Sequence, residues 1–150
     1  MPLVTAQQNE VLDYFIANSQ ATWTMTLNTL SEWRIGLSTA APGDTGSSFA
    51  EPTVGTGGYG RIQATAATHF ATPASGGTVS NSTALAFGDS SAAWSTTTND
   101  LTHFGLFSSN TVTSPIETNL ILWGALTTAR QVNAAGVNLT FAIGALTFDV

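Results

Sequence analysis

Gly55-Thr56-Gly57-Gly58-Tyr59-Gly60 matches the G-x-G-x-x-G pattern with which glycine-rich turns cradle phosphate groups. That chemistry needs a strand before the turn and a helix N-terminus after it, so that free backbone N–H groups face the anion. Pro52 precedes this turn and Arg61-Ile62-Gln63-Ala64 after it reads as a strand. The glycines are therefore expected to supply positive φ and close approach to a neighbour, not a nucleotide site. Two histidines, His69 and His103, are too few for a histidine-rich metal site, and Asp100 stands three residues before His103. Abundant serines allow a Ser-His-Asp triad to be composed on paper, yet a triad is defined by geometry and no G-x-S-x-G nucleophile turn is present. His103 reads better as a strand residue whose ring bonds a nearby hydroxyl or carbonyl.

The acids are scattered, and Asp44-Thr45-Gly46-Ser47 lacks the further oxygen ligands a calcium loop requires. No catalytic residue, metal site or cofactor is expected. Four tryptophans, Trp23, Trp33, Trp94 and Trp123, would suit a sugar-stacking platform if exposed. Trp33 and Trp123 lie in apolar strands and read as core, whereas Trp94, among serines and alanines, is the candidate for exposure. Arg34, Arg61 and Arg130 are the side chains able to make bidentate bonds to a carboxylate, either on a partner or on this chain's own acids.

Behind these residues lies an unusual composition. The 150 residues include no lysine, three arginines and nine acids, so charged residues make up 8% where roughly 25% is usual. Lysine commonly keeps strand edges apart and molecules separate. A lysine-free surface of threonine, serine, alanine and asparagine is one that neighbours are expected to cover. The net charge of −6 disfavours direct contact with nucleic acid or anionic membrane, both of which call for clustered cations. Cysteine is absent, which removes disulfides and thiolate chemistry. The longest apolar run, from Leu120 to Leu126, is far shorter than the roughly 20 residues that span a bilayer. The N-terminus lacks the basic start of a secretory signal. Asn81 and Asn138 open Asn-x-Ser/Thr triplets, which matter only in a secreted eukaryotic protein.

Thr5 and Gln8 fit a capping box, and Val11, Leu12, Phe15 and Ile16 recur at helical spacing, which predicts a short N-terminal helix within an arm of residues 1–20. Over residues 21–150 the period becomes two. Trp33, Ile35 and Leu37; Leu85 and Phe87; Phe104 and Leu106; Val137, Leu139, Phe141 and Ile143; and Leu146, Phe148 and Val150 each alternate with small or polar residues. Turn-forming stretches separate them at 41–48, 53–58, 72–77, 89–91, 108–115 and 133–136. The pattern predicts an all-β domain, an antiparallel β-sandwich or jelly-roll-like fold with a short N-terminal α-helix.

With the strands placed, the chain resembles a group of small phage virion proteins described as tail-fibre-like or head-decoration proteins. The resemblance rests on the order of several elements. These are Ile35 to Asp44, with its Thr-Ala-x-Pro-x-Asp turn, then Gly57-Gly58-Tyr59-Gly60-Arg61, then Ala93-Trp94-Ser95 and Thr102 to Phe107. Trp123 to Arg130, Val132-Asn133 and Phe141 to Leu146 complete the series. A longer insertion at Ser108 to Asn119 departs from the group. The resemblance implies a non-enzymatic virion structural protein with no catalytic residues to transfer.

Together these readings predict a protein made in the host cytoplasm and carried on the virion, at the capsid exterior. Its leading role is a capsid decoration, or cement, protein that bridges shell subunits as a homotrimer and contacts the major capsid protein. The alternative role is a tail-fibre or baseplate module that binds a host receptor. Contacts are expected from Pro2, Leu3 and Val4, from the 41–58 and 108–118 loops with Asp44, Gly57, Gly58 and Tyr59, and from Arg34, Arg61, Trp94 and Arg130.

Overall fold

The computed structural model describes residues 32–70, 78–95, 99–108 and 119–149. The expected N-terminal helix, the Pro2-Leu3-Val4 arm, most of the 108–118 loop and Trp23 lie outside the described residues, as does the proposed division at residue 20. Among the described residues eight strands run in order: β1 (Glu32–Ser38), β2 (Ile62–Thr65), β3 (Thr78–Ser80), β4 (Leu85–Asp89), β5 (Leu101–Phe107), β6 (Leu120–Arg130), β7 (Asn138–Phe141) and β8 (Thr147–Asp149). A single helical turn, α1 (Ala66–His69), follows β2. Each pairing between these strands is antiparallel.

The all-β expectation holds at this level. Among the described residues, pairing gives one four-stranded sheet, β2-β1-β5-β6, and two ribbons, β3-β8 and β4-β7. The period-two runs read from sequence place the core. Ile35 and Leu37 of β1, Phe104 and Leu106 of β5, Leu85 and Phe87 of β4, and Leu139 and Phe141 of β7 join one buried cluster. Leu101 joins them although it shares parity with Phe107 on the opposite face. A register shift between Leu101 and His103 lies between them and reverses the side.

The second face of the four-stranded sheet is also covered. Phe49, Phe107 and Leu120 form a smaller buried cluster there, with Trp123 packed against it. This face is unusual because two glycines, Gly36 and Gly105, replace side chains at its centre. The second half of β1 is thus buried on both sides, Gly36 and Ser38 along with Ile35 and Leu37. The alternation around Val137 to Ile143 runs past the strand it predicted. Strand β7 stops at Phe141, and Ile143 lies in a turn, 70% exposed.

Candidate functional site

The G-x-G-x-x-G stretch folds as a single 3-10 turn over Thr56–Gly58, and a strand, not a helix, follows it at Ile62. Gly55, Gly57 and Gly58 all have positive φ. Gly57 is the position where this matters. A Cβ there would lie 2.9 Å from the Ala92 carbonyl oxygen and 3.1 Å from Cδ1 of Trp94. Its own carbonyl accepts hydrogen bonds from Trp94 Nε1 at 2.7 Å and from the Ser91 N–H at 2.8 Å. The close neighbour expected for these glycines is therefore the Ser91–Trp94 loop of the same chain. Nothing resembling a phosphate cradle is formed.

Trp94 is 8% exposed, with its ring 5.4 Å from Tyr59 and 6.0 Å from Phe87. This corrects the expectation of an exposed tryptophan: the small residues around it surround a buried ring and do not present it. Tyr59, 2% exposed, is also interior. Its hydroxyl accepts from the Leu37 N–H at 2.9 Å and donates to Glu51 Oε1 at 3.0 Å. Burial, followed by the adjacent Glu51 carboxylate, pushes the Tyr59 hydroxyl well above the usual phenol range.

Glu51 is the partner of Arg61. Arg61 Nε donates to Glu51 Oε1 at 2.9 Å and its terminal nitrogen to Oε2 at 2.7 Å, a bidentate pair with side chains 0% and 4% exposed. The guanidinium carbon sits 3.5 Å from the centre of the Phe107 ring. Of the two readings open for Arg61, pairing with the chain's own acid is the one seen. Gly57, Tyr59, Arg61 and Trp94 are thus brought together, but facing inward. Sequence reasoning missed Glu51, whose only signal was that a buried arginine needs a carboxylate, and Gly36, whose missing Cβ admits that carboxylate.

The remaining candidates are dispersed. Arg34 is half-buried and its guanidinium donates to Gln63 on the neighbouring strand at 3.1 Å. Asp44 lies in an exposed turn. Arg130 is exposed at the end of β6, beside a groove of about 520 Å³ bordered by β6 and β7. His69 and Asp100 are occupied elsewhere: Nδ1 of His69 accepts from the Thr65 N–H at 2.9 Å, and Asp100 accepts from Gln131 at 2.7 Å. His103 has Nδ1 within 2.8 Å of the Thr102 hydroxyl, as its strand position suggested, and partial burial lowers its pKa. Among the described residues no three His, Cys, Asp or Glu side chains gather as a metal site would require. Asn81 is 1% exposed, and its amide bonds the backbone of Thr83, Ala142 and Leu146, so it is no glycan acceptor.

Among the described residues no helix is long and apolar enough to cross a membrane. None of the curated proteins compared with the chain matches it. A family model does, across residues 2–149, and its description is "Podophage GP4 fiber I protein gp80". The match covers nearly the whole length: the chain belongs to that phage fibre protein family and is a structural protein of the virion.

Proposed function

We propose that this protein is a non-enzymatic structural module of a phage fibre, built to associate with copies of itself as a trimer and with a neighbouring virion protein. The observation that carries the reading is the family match over residues 2–149. The geometry supports it. Arg61, Glu51, Tyr59 and Trp94 hold two loops and a sheet face together, which is what a load-carrying module needs from its polar groups. Scarcity of charge leaves a surface that neighbours can cover without desolvating ions.

Capsid decoration is the rival position on the particle. Both roles use a small β-rich, weakly charged domain, and location on the particle separates them. Gold-conjugated antibody against the purified protein, viewed on intact phage, is the test. Label on fibres or the tail is expected. Label over the head, with saturable binding of purified protein to stripped heads, would overturn the fibre assignment in favour of decoration.

A further inference from the structure

The cations of this chain fall where strands hold them, and that bears on one class of enzyme. Proteases of the trypsin class bind a lysine or arginine in an acidic pocket and cut the bond that follows it. That bond is reached only when its stretch of backbone opens, so folded proteins are nicked first at exposed loop tips. The 150 residues contain no lysine, and their three arginines are Arg34, Arg61 and Arg130. The stretches 41–58, 72–77, 108–118 and 133–136 carry no cation, and neither does any residue outside the described ones.

Each arginine is held in a different way. Arg34 sits inside the four-stranded sheet, opposite Gln63 on β2 and Phe107 on β5. The residue after it, Ile35, is 0% exposed and is paired on both sides as well. Arg61 is held by its side chain. The guanidinium is bonded to both Glu51 oxygens and lies over the Phe107 ring, and Ile62, the next residue, opens β2. Arg130 is exposed at the end of β6, so its side chain alone would suit an acidic pocket. The chain that follows it is clasped. Gln131 donates to Asp100 at 2.7 Å, and Val132 is 0% exposed. The Val132 N–H donates to Ser95 Oγ at 2.8 Å, while its carbonyl accepts from the N–H groups of Trp94 at 2.7 Å and Ser95 at 3.1 Å. Lifting Arg130 into a protease cleft means breaking this clasp together with its pairing to Leu101 on β5.

We propose that the fold withstands trypsin-class proteases because every bond they recognise opens only when the fold itself opens. The surface loops, where a protease would otherwise begin, offer no residue for its pocket. The composition that leaves this surface poor in charge therefore also strips it of cleavage sites. This inference goes beyond the structural role and holds at any position on the particle, so the labelling experiment can fail without touching it.

Intact mass followed during incubation of the native protein with trypsin is the test. The protein should stay whole over times in which chains unfolded beforehand in urea fall into four pieces, ending at Arg34, Arg61, Arg130 and Val150. In mild urea the cutting rate should rise with the unfolded fraction, and the pieces should appear together, because one opening exposes all three bonds. Accumulation of the piece ending at Arg130 from fully native protein would overturn the proposal. Placement of the cations is tested separately. Ser48→Arg and Ala135→Arg each put a cleavable residue on an exposed turn. Each variant should be cut at its new site at least about 100-fold faster than the unmodified protein is cut anywhere, since a turn opens more readily than the whole fold. Variants as resistant as the unmodified chain would also overturn it, because protection would then come from general rigidity and not from where the arginines lie.

Discussion

Gly36 and Gly105 stand directly opposite one another on β1 and β5, and the hollow they leave in the sheet face is filled by an ion pair and two phenylalanines. A Cβ on Gly36 would meet Glu51 Oε1 at 2.7 Å and Phe107 Cε2 at 3.0 Å. One on Gly105 would meet Phe49 and Leu120 carbons at 2.7 Å and the same Phe107 atom at 3.0 Å. The glycines are required by what packs over them, not by their own backbone angles. Gly36→Ala should cost about 1–3 kcal/mol, as overpacking of a filled core usually does. Gly105→Ala should cost less, because it meets side-chain ends that can turn slightly, whereas the Glu51 carboxylate is fixed by two bonds to Arg61. Urea unfolding of both variants gives the order directly, and equal losses would contradict it.

The Glu51–Arg61 pair gives a second prediction of a different shape. Removing one partner leaves an uncompensated charge in the interior, which costs about 3–5 kcal/mol. Glu51→Leu and Arg61→Met should therefore each destabilise strongly. Replacing both with apolar residues of similar volume removes the stranded charge, so Glu51→Leu with Arg61→Met should be more stable than either single variant. The double-mutant cycle is measured by denaturant unfolding at fixed salt. Additive losses would mean that the two side chains do not act as a unit.

Much of the strand pattern was legible, and the reasons are local. Trp33-Ile35-Leu37, Leu85-Phe87 and Phe104-Leu106 alternate because these side chains all point into the larger apolar cluster, and that constraint acts on each residue separately. Leu101 and Ile143 escaped the same rule: one follows a register shift and the other lies beyond a strand end, and neither event leaves a mark on the alternation. The site was less legible. Trp94 looked exposed because its sequence neighbours are small, yet its packing partners, Tyr59 and Phe87, are far off in the chain. The shortage of charge was read as a surface property, but part of it is interior. Ser38, Ser90, Ser95 and Asn81 are buried, and each bonds backbone groups of a loop that a more charged chain would have to tie down otherwise.

Asn81 carries the third prediction. Its side chain satisfies three backbone groups around the turn that presents Ile143, with Oδ1 accepting from the Leu146 N–H at 2.8 Å. Asn81→Ala leaves those groups buried without partners, and about 1–3 kcal/mol of stability should be lost. Local loosening distinguishes this from a general loss. Hydrogen exchange at the Leu146 amide should quicken well beyond that at the Leu37 amide, which is held instead by Tyr59. Equal acceleration at both would show that the side chain contributes only to global stability.

Tyr59 predicts how stability responds to alkali. Burial first, and then the neighbouring Glu51 carboxylate, raise the folded phenol well above its ordinary value, whereas in the unfolded chain it titrates near 10. Above about pH 10 the folded protein therefore holds a proton that the unfolded chain gives up. The unfolded state then binds fewer protons, and stability falls as pH rises. Below pH 10 both states keep the proton, so this contribution is intact. Tyr59→Phe should lower stability at neutral pH by about 1–3 kcal/mol, because the Leu37 N–H and a Glu51 oxygen each lose a partner. The same variant should lose less stability between pH 9 and 11 than the unmodified protein, because it has no phenol to ionise at that position. Urea midpoints across that range read both effects. Parallel pH profiles for the two proteins would mean that Tyr59 ionises as readily in the fold as out of it, contrary to its burial against Glu51.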